Sequence, residues 1–142
     1  MGENGGYNKD NATIIQQQEE MLEACGNPEY FIIVSSTSKT TAQRQSLNDA
    51  LTARWGDHYI NMGNVLNSSR DSYEFAGYSE EAIVSVLDNI IEGSVTELLL
   101  ADGCHPNAVG YTVIANALFE RLYNLGAFDA IFDYYDSLNS AN

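Results

Sequence analysis

Asp102 and His105 stand three residues apart, directly ahead of an amphipathic segment. General-base chemistry uses this pairing: the carboxylate fixes the imidazole tautomer and stabilises the imidazolium formed when the ring takes a proton. Pro106 stiffens the loop and Asn107 anchors it to the next helix, which gives the pair a rigid support. By spacing alone, Asp-x-x-His is more often a surface turn with a capping residue. Other reactive groups offer less. Cys104 adjoins His105, but neighbouring residues on a loop usually point apart, which weighs against a thiol nucleophile. Asp102, Cys104 and His105 lack the further ligands that a zinc site needs, because His58 is the only other histidine; no metal is expected. His58 itself reads as a satisfied or solvated side chain at a strand start.

The elements that must hold this pair can be read along the chain. Residues 2–11 are polar and glycine-rich, a loop. A helix follows, capped by Asn11 or Thr13, with Ile14, Ile15, Gln18, Met21, Leu22 and Cys25 on one face and Gly26 as terminator. The run Tyr30–Val34 reads as a strand buried on both faces. A polar turn over 35–41 leads to a helix over 42–55, with Leu47, Leu51 and Trp55 at four-residue spacing, and then to a short strand over 59–62. Helix, strand, helix, strand predicts a right-handed parallel crossover. Residues 63–78 read as irregular, with Tyr73, Phe75 and Tyr78 either lining a pocket or packing as core aromatics. Ser79 caps a helix over 80–91, and Val95–Leu100 is a short apolar segment running into Asp102. Asn107 caps a helix whose stripe is Tyr111, Ile114, Ala115, Leu118, Leu122 and Leu125, ended by Gly126. One more helix is expected over 128–138, with 140–142 fraying. Two strands make a poor parallel sheet, so the sequence reads as part of a larger domain.

Composition narrows the partners. A hydrophobic content of 44% suits a globular core, and 142 residues suit one domain. A net charge of -14, with only six Lys and Arg, argues against nucleic acid and against an anionic membrane surface. No apolar run approaches the roughly 18 residues of a spanning helix, and no signal peptide is recognisable at Met1. The expectation is a soluble protein of unknown compartment. Cys25 and Cys104 permit one disulfide without implying a disulfide framework.

Asp102-Gly103-Cys104-His105-Pro106-Asn107-Ala108-Val109-Gly110-Tyr111, followed by an amphipathic helix, resembles the fifth sequence block of the SGNH (GDSL-like) hydrolases. Gly2-Glu3-Asn4-Gly5-Gly6 resembles their third block, with Gly5 where that block carries Asp. The resemblance implies a flavodoxin-like three-layer α/β/α parallel sheet, incomplete in this chain and lacking its N-terminal strands. Residues 1–126 would be the C-terminal part of one such domain and 127–142 a helical tail. It also implies roles: His105 as base, Asp102 as its orienting acid, Asn4 as oxyanion donor, and Gly2 as the residue that lets the Asn4 loop turn tightly. The implied reaction is carboxylic ester hydrolysis through an acyl-serine, without metal or organic cofactor. Acetylated carbohydrate and lipid esters are the rival substrates.

The family's nucleophile lies in a Gly-Asp-Ser block, and neither that block nor Gly-x-Ser-x-Gly occurs in this sequence. The chain is therefore expected to be the C-terminal portion of an esterase, begun at an internal Met, and inactive alone. The competing expectation is a non-catalytic binding module, or a half-domain completed by a partner, with self-association through the exposed edge of the 30–34 strand.

Overall fold

A computed structural model describes residues 10–35, 42–68, 70–75, 77–88, 101–102 and 105–140. Helix α1 (Asn11–Ala24) is capped by Asp10, ahead of both expected caps, Asn11 and Thr13. The Asp10 carboxylate accepts from the Thr13 amide at 2.9 Å and from the Thr13 hydroxyl at 2.8 Å. These bonds, the amide first, hold its pKa below the ordinary carboxylate value. The cap therefore stabilises fully above the unfolded-state pKa and fades as pH falls through the lower folded value. Asn11, released from capping, donates to the carbonyl and hydroxyl of Ser46 and ties α1 to α2 (Ala42–Trp55). Gly26, at φ +80°, supplies the left-handed residue that ends the helix.

Leu47, Leu51 and Trp55 of α2 are buried at the expected four-residue spacing. They pack with Tyr59, and Ile14, Ile15, Leu22, Phe31 and Ile33 close around them. The polar groups inside this layer are paired: the Trp55 indole donates to Gln18 Oε1 at 2.8 Å, and the Tyr59 hydroxyl to Asn48 Oδ1 at 2.7 Å. Met21 and Cys25, expected on the inner face of α1, are exposed.

Strand β1 (Ile33–Val34) pairs in parallel with β2 (Tyr59–Ile60), with Ile33 opposite Tyr59 and Val34 opposite Ile60. The parallel crossover through α2 is present. The flavodoxin-like three-layer α/β/α sheet is not: among the described residues the only sheet has these two strands, and the chain is mostly helical. Two local interactions stop the ladder. The Phe31 carbonyl, which a longer β1 would offer to the sheet, accepts from His58 Nδ1 at 3.0 Å. Asn61 then turns the chain into a helix, its side chain accepting from the Asn64 amide and its carbonyl from the Val65 amide. The expected strands over 30–34 and 59–62 thus shrink to two residues each. Val34, expected to be buried, is 46% exposed.

Residues 63–78 are correspondingly less irregular than expected. Helices α3 (Met62–Ser68) and α4 (Arg70–Phe75) occupy most of the segment. Tyr73 is fully buried, which settles it as a core aromatic, edge-on to Tyr78. The Ser79 hydroxyl caps α5 (Glu80–Asp88) by accepting from the Ala82 amide, and Arg70 bridges α4 to α5 through Glu80. The Arg70 guanidinium is held above its ordinary pKa by that contact. The expected extension of α5 to residue 91 and the apolar segment over 95–100 lie outside the described residues.

Helix α6 (Ala108–Asn124) completes the second core, in which Val113 meets Ile60, Met62, Leu66, Tyr73 and Ile83. Its inward line runs through Val109, Gly110, Val113, Ile114 and Leu118. Tyr111, expected in that line, is among the most exposed side chains. Helix α7 (Asp129–Ser140) lies where the sequence predicts it. Among the described residues no helix is long and apolar enough to cross a membrane.

Leu66 is completely buried in the second core. Leu66→Ala should therefore destabilise the protein by about 2–5 kcal/mol, read as a lowered urea midpoint at constant slope.

Candidate active site

The loop ahead of α6 is closed by the Ala101 amide donating to the His105 carbonyl at 2.7 Å. Within it, one carboxylate grips one histidine twice. Asp102 Oδ1 accepts from the His105 backbone amide at 2.8 Å, and Asp102 Oδ2 lies 2.8 Å from His105 Nδ1. The first bond fixes the backbone on which the imidazole is mounted, and the second fixes the ring. An ionised carboxylate at Nδ1 selects the tautomer protonated there, so the lone pair falls on Nε2. The ring is thereby set up as a base at its outer nitrogen.

Asn107 supports the pair as its sequence position predicts. Its side chain accepts from the Gly110 amide at 3.0 Å, and its carbonyl from the Tyr111 amide at 2.9 Å. Gly110 and Val113 then bury the first turns of α6 against the core. The other end of the helix is tied down by Arg121, whose Nη1 donates to the Asp57 carbonyl at 2.9 Å. His105 is thus linked through a cap to a packed helix.

The pair itself is open to solvent, with side-chain exposures of 74% for His105 and 58% for Asp102. Water screens the charge pair strongly, so it adds little to folding stability and its value lies in orientation. His58, by contrast, is committed: its ring stacks on Phe31 at 4.1 Å and its Nδ1 donates to the Phe31 carbonyl. That arrangement is structural and matches the satisfied side chain expected from the sequence.

Gly2, Asn4 and Cys104 lie outside the described residues, so their distances to His105 carry no part of this geometry. Ser35, which follows β1, is engaged structurally: its hydroxyl accepts from the Met62 amide at 2.8 Å. Ser36 and Ser38 lie outside the described residues. Among the described residues no group of three or more His, Cys, Asp or Glu side chains stands close enough to hold a metal ion. One feature of the surface is not anticipated in the sequence reading: the exposed aromatic face shared by α6 and α7. The spacing of Ile131, Phe132, Tyr135 and Leu138 is its signal. Compared with family models, curated proteins and solved structures, the chain matches none.

Because Asn107 couples the loop to α6, Asn107→Ala should cost about 1 kcal/mol in chemical denaturation. Amide hydrogen exchange at Gly110, which loses its acceptor, should rise, while exchange at Thr13 in α1 stays unchanged.

Proposed function

We propose that the Asp102–His105 pair is the acid–base half of a serine ester hydrolase related to the SGNH enzymes. The observation that carries this reading is the double grip of Asp102 on the backbone amide and Nδ1 of His105. A capping turn requires only the first of those bonds; the second is what a general base requires. The resemblance of residues 102–111 to the family's fifth block supports it further.

In this reading His105 Nε2 takes the proton of a serine hydroxyl as its oxygen attacks an ester carbonyl. Asp102 stabilises the imidazolium that results. Asn4 donates its side-chain amide to the tetrahedral oxyanion, and Gly2 lets its loop turn toward the reacting centre. Collapse of the intermediate transfers the imidazolium proton to the departing alcohol and leaves an acyl-serine. Water then attacks by the same proton route. The substrate class is a carboxylic ester, either an acetylated carbohydrate or a lipid ester. No metal or organic cofactor takes part.

The serine is supplied by polypeptide outside this sequence, since no Gly-Asp-Ser occurs in it. Loss of a triad nucleophile costs on the order of a millionfold in turnover, so these 142 residues alone should be almost inert.

A second reading, a half-domain completed by a strand from a partner, is favoured by one observation. The outer side of β1 opens on a groove of about 270 Å³ lined by Met21, Leu22, Phe31 and Val34. Among the described residues β1 pairs only with β2, and a strand edge beside an apolar groove is a template for another strand.

Turnover of p-nitrophenyl acetate, together with sequencing of the DNA upstream of the Met1 codon, separates these readings. The hydrolase reading predicts negligible turnover by this chain and an in-frame upstream Gly-Asp-Ser. In the extended polypeptide, Asp102→Asn should lower kcat by on the order of ten-thousandfold without unfolding. Fast, His105-dependent turnover by the present chain would contradict the missing nucleophile. A stop codon directly upstream would favour the half-domain.

A further inference from the structure

Among the described residues a continuous set of exposed apolar side chains lies on α7 and the C-terminal half of α6. Helix α7 buries none of its residues. Ile131, Phe132, Tyr135 and Leu138 share one arc of it at helical spacing, and each is between 44% and 60% exposed. Asp129, Asp133 and Asp136 occupy the opposite arc. The apolar arc continues onto α6 through ring contacts: Phe132 lies 5.9 Å from Tyr123, and Tyr123 lies 6.4 Å from Phe119. Phe119 and Tyr123 are themselves more than half exposed. Aromatic side chains of this kind bury about 150–250 Å² each when covered, so the half-exposed set offers on the order of 700 Å². That is near the roughly 800 Å² per partner of a stable interface, and above what an ordinary monomer leaves open.

We propose that this face is the interface of a homodimer, in which the apolar arc of α7 and the rings of α6 pack against the same face of a second copy. The charge distribution selects a second copy over other occupants. The aspartates of α7 point away from the seam, so symmetric packing brings no like charges into contact there. A basic helix would find no row of carboxylates along the seam. An anionic lipid surface would find no cation on α7, and on α6 only Arg121, which is engaged with Asp57. The groove beside β1 is a rival docking place, but its strand is only two residues long and offers a short ladder. Each chain carries a net charge of -14, so the two copies repel at long range. Salt screens that repulsion and leaves the apolar contact intact. Dimerisation should therefore tighten as salt rises, the reverse of binding to a basic partner.

Sedimentation of the full chain at concentrations on the order of 100 µM, in about 0.05 to 1 M NaCl, tests this. The expected result is the mass of two chains, with the dimer fraction increasing with salt. Ile131→Glu and Tyr135→Glu, exposed in the monomer and so compatible with folding, should each weaken association on the order of a hundredfold with unchanged circular dichroism. Val34→Glu should leave it intact. A single-chain mass at every concentration and salt would overturn the proposal. So would a dimer lost in Val34→Glu but not in the α7 variants, or one that weakens as salt rises. Capture of the chain by phosphatidylcholine vesicles in place of self-association would assign the face to lipid and equally overturn it.

Discussion

Everything described depends on a parallel ladder only two residues long. Ile33 opposite Tyr59 turns toward α1 and α2, while Ile60 and the neighbouring Ile32 turn toward α3 to α6. The alternation of side chains along a strand thus divides the chain into two cores that share one seam. Nothing in so short a sheet is stable by itself. Its stability comes from the helices on either side; on the α1 and α2 side the buried Trp55 indole and Tyr59 hydroxyl are satisfied by Gln18 and Asn48.

The candidate site inherits its order from the second of those cores. Val113 and Gly110 seat α6, Asn107 closes its N-terminus, and the loop that carries Asp102 and His105 is tied to that cap. A base that works near neutral pH needs a fixed direction for its lone pair more than it needs burial. That direction is supplied here by two hydrogen bonds from one carboxylate. The pair is held by these two bonds although it is open to water. The aromatic face of α6 and α7 follows the opposite logic: it is apolar and continuous through ring contacts, and its side chains stand about half exposed.

Local signals were legible where they were self-contained. The Asn107 cap, the Ser79 cap, the terminators Gly26 and Gly126, and the Leu47–Leu51–Trp55 spacing all follow from chemistry within one or two turns. Asp102 and His105 were legible for the same reason, because three residues suffice to bring the groups together. What failed depended on distant partners. The Tyr30–Val34 run has a strand's composition, but its ladder is limited by His58 capturing the Phe31 carbonyl and by Asn61 starting α3. Neither event is visible in the run itself. The three-layer sheet failed with it, since that expectation came from resemblance and two apparent strands. Tyr111 and Val113 both fit an amphipathic pattern, and only the position of α3 and α4 decides that Val113 faces inward. Residues 63–78 looked irregular because their helices are short and stabilised by tertiary packing around Leu66 and Tyr73.

The central claim is that Asp102 sets the tautomer of His105 and leaves Nε2 as the base. Long-range proton–nitrogen correlation spectra of the imidazole, recorded above the pKa of the ring, test it on the chain as it stands. The account predicts a neutral ring protonated at Nδ1, with that preference lost in Asp102→Ala while the resonances of His58 do not move. A neutral His105 protonated mainly at Nε2, or a tautomer indifferent to Asp102→Ala, would contradict it.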